Sequence, residues 1–352
     1  MKLRSSYVLA ATAAASLVAA AVSAPAASAD SGGVPISSAK AILWSTAGAP
    51  PAAATPSPTA LANNLIFHGG AVEHTPKVFV TFWGTEWKNG FHTGPNNAYS
   101  NTTAMTYVNT FFGHLGGSKW NGTQTQYCDN IAPGSTSCAG SPYAQFITNP
   151  AQVLSGAWVD STPAPATIAT TGLAENLTTD PIATEAVRAS QHFGYVPDAT
   201  YFVFTPPGHT ATAYGSVYCA YHSEVTNIGG HGLRYAFMPF TPEQGAGCGG
   251  NSVNPKNDAF GHGYLDSYSL AGGHEYAEAA TDPDAWPTQD GWNDATTSEN
   301  GDKCAYFHAA NITLGRYYFA VQPMWSNEAN AGSGGCAMSR GTGPAPVPSS
   351  VP

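Results

Sequence analysis

The sequence predicts an α/β fold: a single domain with a mixed sheet, helices and long disulfide-stapled loops. Three observations predict it. Short apolar, β-rich runs alternate with segments of helical spacing. Six cysteines occur in a chain that begins like an exported protein. Aromatic residues are spread through positions 63–340 with no internal repeat and no linker, so one domain is the simplest division.

The elements follow in chain order. Lys2 and Arg4 precede a run of small apolar residues that ends at Ala27-Ser28-Ala29, so residues 1–29 read as a secretory signal peptide. Residues 30–62, including "GAPPAAATPSPTALA", are too rich in Ala, Pro, Ser and Gly to order themselves and read as a flexible leader. The run "KVFVTFW" (77–83) reads as a buried strand. In "TAMTYVNTFFGHL" (103–115), Val108, Phe111, Phe112 and Leu115 recur at helical spacing. "DPIATEAVRASQHF" (180–193) is a helix with Asp180 as N-cap and Pro181 at its first position. "TYFVFTP" (200–206) and "YAFMPF" (235–240) are strands. "LDSYSLAGGHEYAEAAT" (265–281) is a helix ended by Asp282-Pro283, because the residue before proline disfavours the α region. The last dozen residues, 341–352, read as a disordered tail.

Charge and cysteine content narrow the function. Loss of residues 1–29 takes Lys2 and Arg4 from the 12 Lys+Arg and none of the 22 Asp+Glu, which leaves a net charge of −12. Such a chain is a poor partner for nucleic acid or an anionic surface. No segment after the leader has the continuous apolar length of a membrane span, and the expected product is a secreted monomer. Spacing favours three local disulfides, Cys128–Cys138, Cys219–Cys248 and Cys304–Cys336; a cysteine metal site is a poor reading because no C-x-x-C pair exists.

One helix carries chemistry. In "HEYAE", His274 and Glu278 stand at i and i+4, one turn apart on one face, and both residue types bind zinc. Glu275 occupies the position of the general base in H-E-x-x-H zinc peptidases, although Glu278 replaces the second histidine. The bland alternative is a helix with exposed glutamates and one satisfied histidine. Gly272-Gly273 complicates it, since each interior glycine costs about 1 kcal/mol against alanine. The pair predicts either close approach of another backbone or a helix that starts only at His274.

The following segment, 281–302, holds Asp282, Asp284, Asp290, Asp294, Glu299 and Asp302, six of the 22 acids. Such crowding repels unless the loop is solvated or a cation sits there. Asp282, Glu299 or Asp302 is the expected third ligand. The metal is expected to be zinc, with calcium held by carboxylates and carbonyls as the competing possibility. Among the other histidines His222, in "CAYHSE", ranks above His231, His262 and His308, because a disulfide at Cys219 would fix its backbone. Neither a G-x-S-x-G elbow nor a phosphate-binding Gly loop after a strand is found.

Several segments, in order, carry a resemblance: "KVFVTFWGTEW", "ATYFVFTPPG", "VYCAYHS", "RYAFMPF", "YLDSYSLAGGHEYAEAATDP" and "VQPMWSNEANAGSGGC". Over residues 70–338 the chain resembles the EXORDIUM / phosphate-induced protein family of secreted plant proteins and its bacterial relatives. The bacterial chains of this type carry an H-E-x-x-E helix followed by an acidic GD-C segment, here Gly301-Asp302-Lys303-Cys304. The resemblance implies an extracellular role and brings no catalytic residue with it.

The residues therefore predict a secreted metal-dependent hydrolase resembling zinc metallopeptidases and acting on peptide. His274, Glu278 and an acid from 282–302 are the ligands, and Glu275 is the base. The alternative is a non-catalytic EXORDIUM-like protein that binds a cell-surface polymer or partner through exposed Trp and Tyr, such as Trp286, Trp292 and Trp325, with structural calcium in the acidic loop.

Overall fold

A computed structural model describes residues 40–41, 64–170, 180–228, 231–254, 262–284, 290–305 and 307–340. The signal-peptide reading, the tail and Trp286 lie outside the described residues, as does the leader apart from Lys40–Ala41.

The expected α/β class is what the chain forms. Four adjacent strands of the main sheet are parallel: β1 (Lys77–Trp83), β2 (Leu154–Asp160), β3 (Ala199–Phe204) and β5 (His231–Met238), in the order β2-β1-β3-β5 with β2 at one edge. Strand β4 (Tyr221–Ile228) pairs antiparallel with β5, and Lys40–Ala41 pairs antiparallel with Tyr221 and His222 at the edge. Part of the segment read as a flexible leader is thus paired with the sheet.

Helix α1 (Asn101–Leu115) links β1 to β2, and α2 (Pro181–Phe193) links β2 back to β3 on the other side of β1. Right-handed crossovers running in opposite directions put their helices on opposite faces. The core shows this directly. Val78, Val80, Phe82, Phe202 and Phe204 pack with Val108, Phe111 and Phe112 of α1. Their neighbours Phe79, Tyr201 and Val203 pack with Ile182, Ala183, Ala186 and Ala189 of α2. The alternation follows the period of two along each strand.

Both connecting helices start as their sequences predict. The Asp180 carboxylate accepts from the amides of Ile182 and Ala183, with Pro181 at the first position. Ser100 and Thr103 form a reciprocal capping box on α1. All three disulfides join the cysteines that spacing pairs: Cys128–Cys138, Cys219–Cys248 and Cys304–Cys336.

Helix α3 (Asp266–Thr281) lies on the α1 face of the sheet over β4 and β5. Its other side is covered by a hairpin of β6 (Ala310–Leu314) and β7 (Tyr317–Val321). Every residue of α3 is buried, so the helix has no solvent face to mark with an apolar stripe. Gly272 and Gly273 lie inside it, and the helix begins eight residues before His274. Their neighbours are side chains, not backbone: Phe112 and Met238 lie beside Gly272, and a Cβ on Gly273 would stand 3.3 Å from Phe111 and 3.4 Å from Trp120. No helix among the described residues is long and apolar enough to cross a membrane.

Glu73 supplies a pH-dependent element beside this framework. It is fully buried, and Oε1 accepts a 2.9 Å hydrogen bond from Thr200 Oγ1. Burial pushes its pKa up to about 8, against the pull of Arg234. Between the ordinary carboxylate range and pH 8 the folded chain therefore holds a proton that the unfolded chain has released, and stability falls as pH rises through that window. Glu73→Gln should flatten this slope and make the variant the more stable protein at pH 8, by on the order of 4 kcal/mol. Unfolding midpoints at pH 5 and pH 8 test it; parallel pH profiles for the two proteins would refute it.

Candidate metal centre

Three chain segments build the site. Helix α3 supplies His274, Glu275 and Glu278. Strand β4 supplies His222, which stands opposite Ala236 of β5 in the ladder. The segment 299–302 supplies Glu299 and Asp302. That segment is held down firmly: Asn300 Nδ2 donates to Gln124 Oε1 at 2.7 Å and to Ala277 O at 3.1 Å, and the Trp325 amide donates to Asn300 O at 2.7 Å. Cys304, two residues on, is bonded to Cys336.

The polar atoms converge. His274 Nε2 lies 2.9 Å from Glu278 Oε1 and 3.6 Å from Asp302 Oδ1. His222 Nε2 lies 3.3 Å from Glu299 Oε2 and 3.7 Å from Glu278 Oε2. The Asp302 amide donates to Glu278 Oε1 at 3.0 Å. His222, His274, Glu275, Glu278 and Glu299 are at most 2% exposed, whereas the Asp302 side chain keeps 27% and marks the solvent side of the cluster. Both ring nitrogens of His274 and both oxygens of Glu275 lack a hydrogen bond of standard geometry, although the Gln322 side chain stands beside His274 and the His222 amide beside Glu275.

Gly301 is required for close approach. A Cβ there would fall 2.8 Å from His274 Nδ1 and 2.9 Å from Glu278 Oε1, and both of these side chains are fixed on a buried helix. Gln322 Nε2 donates to Gly301 O at 2.7 Å and locks the segment against them. Gly301→Ala should therefore spread the cluster and weaken metal binding at least tenfold, with secondary structure unchanged. Zinc titration of the two proteins checks this, and equal affinities would refute it.

The electrostatics suit a cation. Burial, only partly opposed by Asp302 and Gln322, lowers the pKa of His274 and favours the neutral imidazole that ligates metals. Burial raises Glu275 well above the usual carboxylate range, and the charges of Glu278, Asp302 and Glu299 add to the rise. Asp302 is raised well above its ordinary value by burial and then by Glu278 and Glu299, with His274 opposing; its exposure lets water screen part of this effect. Lys303, the cation nearest in sequence, pairs with Asp294 at 2.6 Å and covers the Trp325 ring.

His274 and Glu278 thus lie with both Glu299 and Asp302, with Glu275 beside them and His222 as the joining histidine. Asp282 stands apart. It caps the end of α3 and accepts from the Gly291 amide at 2.7 Å and from Asn293 Nδ2 at 3.3 Å, which ties those two residues to the helix end. The glutamates are not exposed, and the acids between them are partnered: Asp284 pairs with Arg234, Asp290 accepts from Asn293, and Asp294 pairs with Lys303. Trp292 and Trp325, read as possible sugar-stacking residues, are fully buried.

The chain matches no family model, no curated protein and no solved structure. Imidazole together with carboxylate suits zinc or a first-row transition ion better than calcium, which takes all-oxygen shells.

Proposed function

We propose that this chain is a secreted, metal-dependent hydrolase that cleaves peptide bonds. The observation that carries the reading is the convergence of His274, Glu278 and Asp302 with Glu275 in the same helical turn. A zinc ion held there would supply a bound water of lowered pKa and polarise a substrate carbonyl. Glu275 would be the base that takes a proton from the attacking water and the acid that returns it to the leaving amine. Burial and the neighbouring acids raise its pKa, and a cation beside it would lower it. The three disulfides and the N-terminal segment agree with an oxidising, extracellular setting. The polymer-binding alternative drew on exposed Trp and Tyr; of these, Trp292 and Trp325 lie in the core, whereas Tyr143 and Tyr195 are exposed.

The test is a peptide-library digest with zinc-loaded protein, wild type beside Glu275→Gln. Wild type should cleave. The variant should keep its zinc and lose about 100-fold or more in kcat. Zinc-loaded wild type that cleaves nothing, or a variant of unchanged rate, would sink the hydrolase reading.

A further inference from the structure

We propose that the centre holds two divalent cations and that Glu278 bridges them. This rests on the reading of the cluster as a metal centre and deepens it.

The candidate ligand atoms fall into two groups, each with its atoms within 4.8 Å of one another. One is His274, Glu278 and Asp302; the other is His222, Glu278 and Glu299. Glu278 alone belongs to both, and it faces them with different oxygens. Oε1 lies 2.9 Å from His274 Nε2, and Oε2 lies 3.7 Å from His222 Nε2. Each group therefore has one imidazole, one carboxylate of its own and one oxygen of the shared carboxylate. A carboxylate that offers one oxygen to each of two ions sets them at the short separation found in two-metal hydrolases, about 3.5–4 Å.

Charge argues the same way. Glu275, Glu278, Glu299 and Asp302 bring four carboxylates into one buried space. Divalent cations there would offset the mutual repulsion of these carboxylates. Glu275 is the independent sign of a ligand. It is fully buried, neither oxygen has a hydrogen bond of standard geometry, and it feels Glu278, Glu299 and Asp302 together. In the two-ion centre its partner would be a metal-bound water. Borderline ions such as Zn²⁺ or Mn²⁺ match this mixed nitrogen and oxygen set.

The experiment is metal stoichiometry on the full secreted chain, stripped with chelator and dialysed against zinc. Wild type should bind two zinc ions per chain, and His222→Ala should bind one. One zinc in wild type, unchanged in His222→Ala, would overturn the bridge yet leave a single-ion hydrolase standing. No zinc at all would overturn both readings. Two zinc ions in His222→Ala would put the second ion elsewhere and also overturn the bridge. Manganese-loaded wild type gives a check that needs no variant. Two bridged Mn²⁺ ions should show an exchange-coupled paramagnetic resonance spectrum, whereas two isolated-ion signals per chain would refute the proposal.

Discussion

Glu278→Gln should change stability in opposite directions with and without metal. In chelator the variant should unfold at a higher temperature than wild type. Glu278 faces two histidines and shares a buried space with Glu275, Glu299 and Asp302, so its removal relieves like-charge repulsion. Glutamine is nearly isosteric, and its carbonyl can keep the 3.0 Å bond from the Asp302 amide. In zinc the order should reverse. A ligand that binds only the folded state adds about 2.7 kcal/mol at a hundredfold excess over its Kd. Wild type gains this and the variant does not, because its neutral amide ligates poorly. Thermal unfolding of both proteins in chelator and in zinc decides the matter. A variant stabilised by zinc as much as wild type would show that Glu278 is no ligand.

The second large effect is expected from the paired substitution Cys304→Ser and Cys336→Ser. This bond spans 32 residues, which corresponds to about 3.5 kcal/mol of unfolded-state restriction in the chain-entropy model. For a domain of this size the unfolding midpoint should fall by roughly 6 °C. The loss reaches the site as well, because Cys304 is all but adjacent to Asp302 and its partner lies in a strand paired with Met324–Ser326. Zinc affinity should fall along with stability. Calorimetry and zinc titration of the double variant measure both, and unchanged affinity would show that the 299–302 segment holds its place without the staple.

Much of the scaffold could be read from the residues because its signals are local. The apolar run 77–83, the Asp180-Pro181 start of α2 and the Asp282-Pro283 end of α3 each depend on a few adjacent residues. Strands β2 and β4 were not legible. β2 lies at the sheet edge with half-exposed alternate residues, and "YHSEVTNI" in β4 is polar where it borders the site. A hydrophobic pattern cannot mark strands of that kind.

The site divides along the same line. His274, Glu275 and Glu278 stand in one turn of helix, and helical geometry alone makes them neighbours. Glu299 and Asp302 were candidates through acidic crowding, which could not separate them from Asp282. The separation depends on Gly301, whose missing side chain lets the segment reach His274, and on Gln322 and Asn300, which anchor it. None of these contacts has a periodic signature. The pairing of His222 with Glu299 needs the register of β4 against β5, which only the folded sheet supplies.

Trp325 is joined to this segment on two sides. Its amide holds Asn300 O at 2.7 Å, and its ring lies 4.4 Å beneath the Lys303 ammonium. The indole is thus a fluorophore wired to the loop that bears Glu299 and Asp302. Any shift of that loop on metal uptake alters the charge above the ring and with it the emission. The protein carries its own optical gauge of the centre, readable by stopped flow without a label.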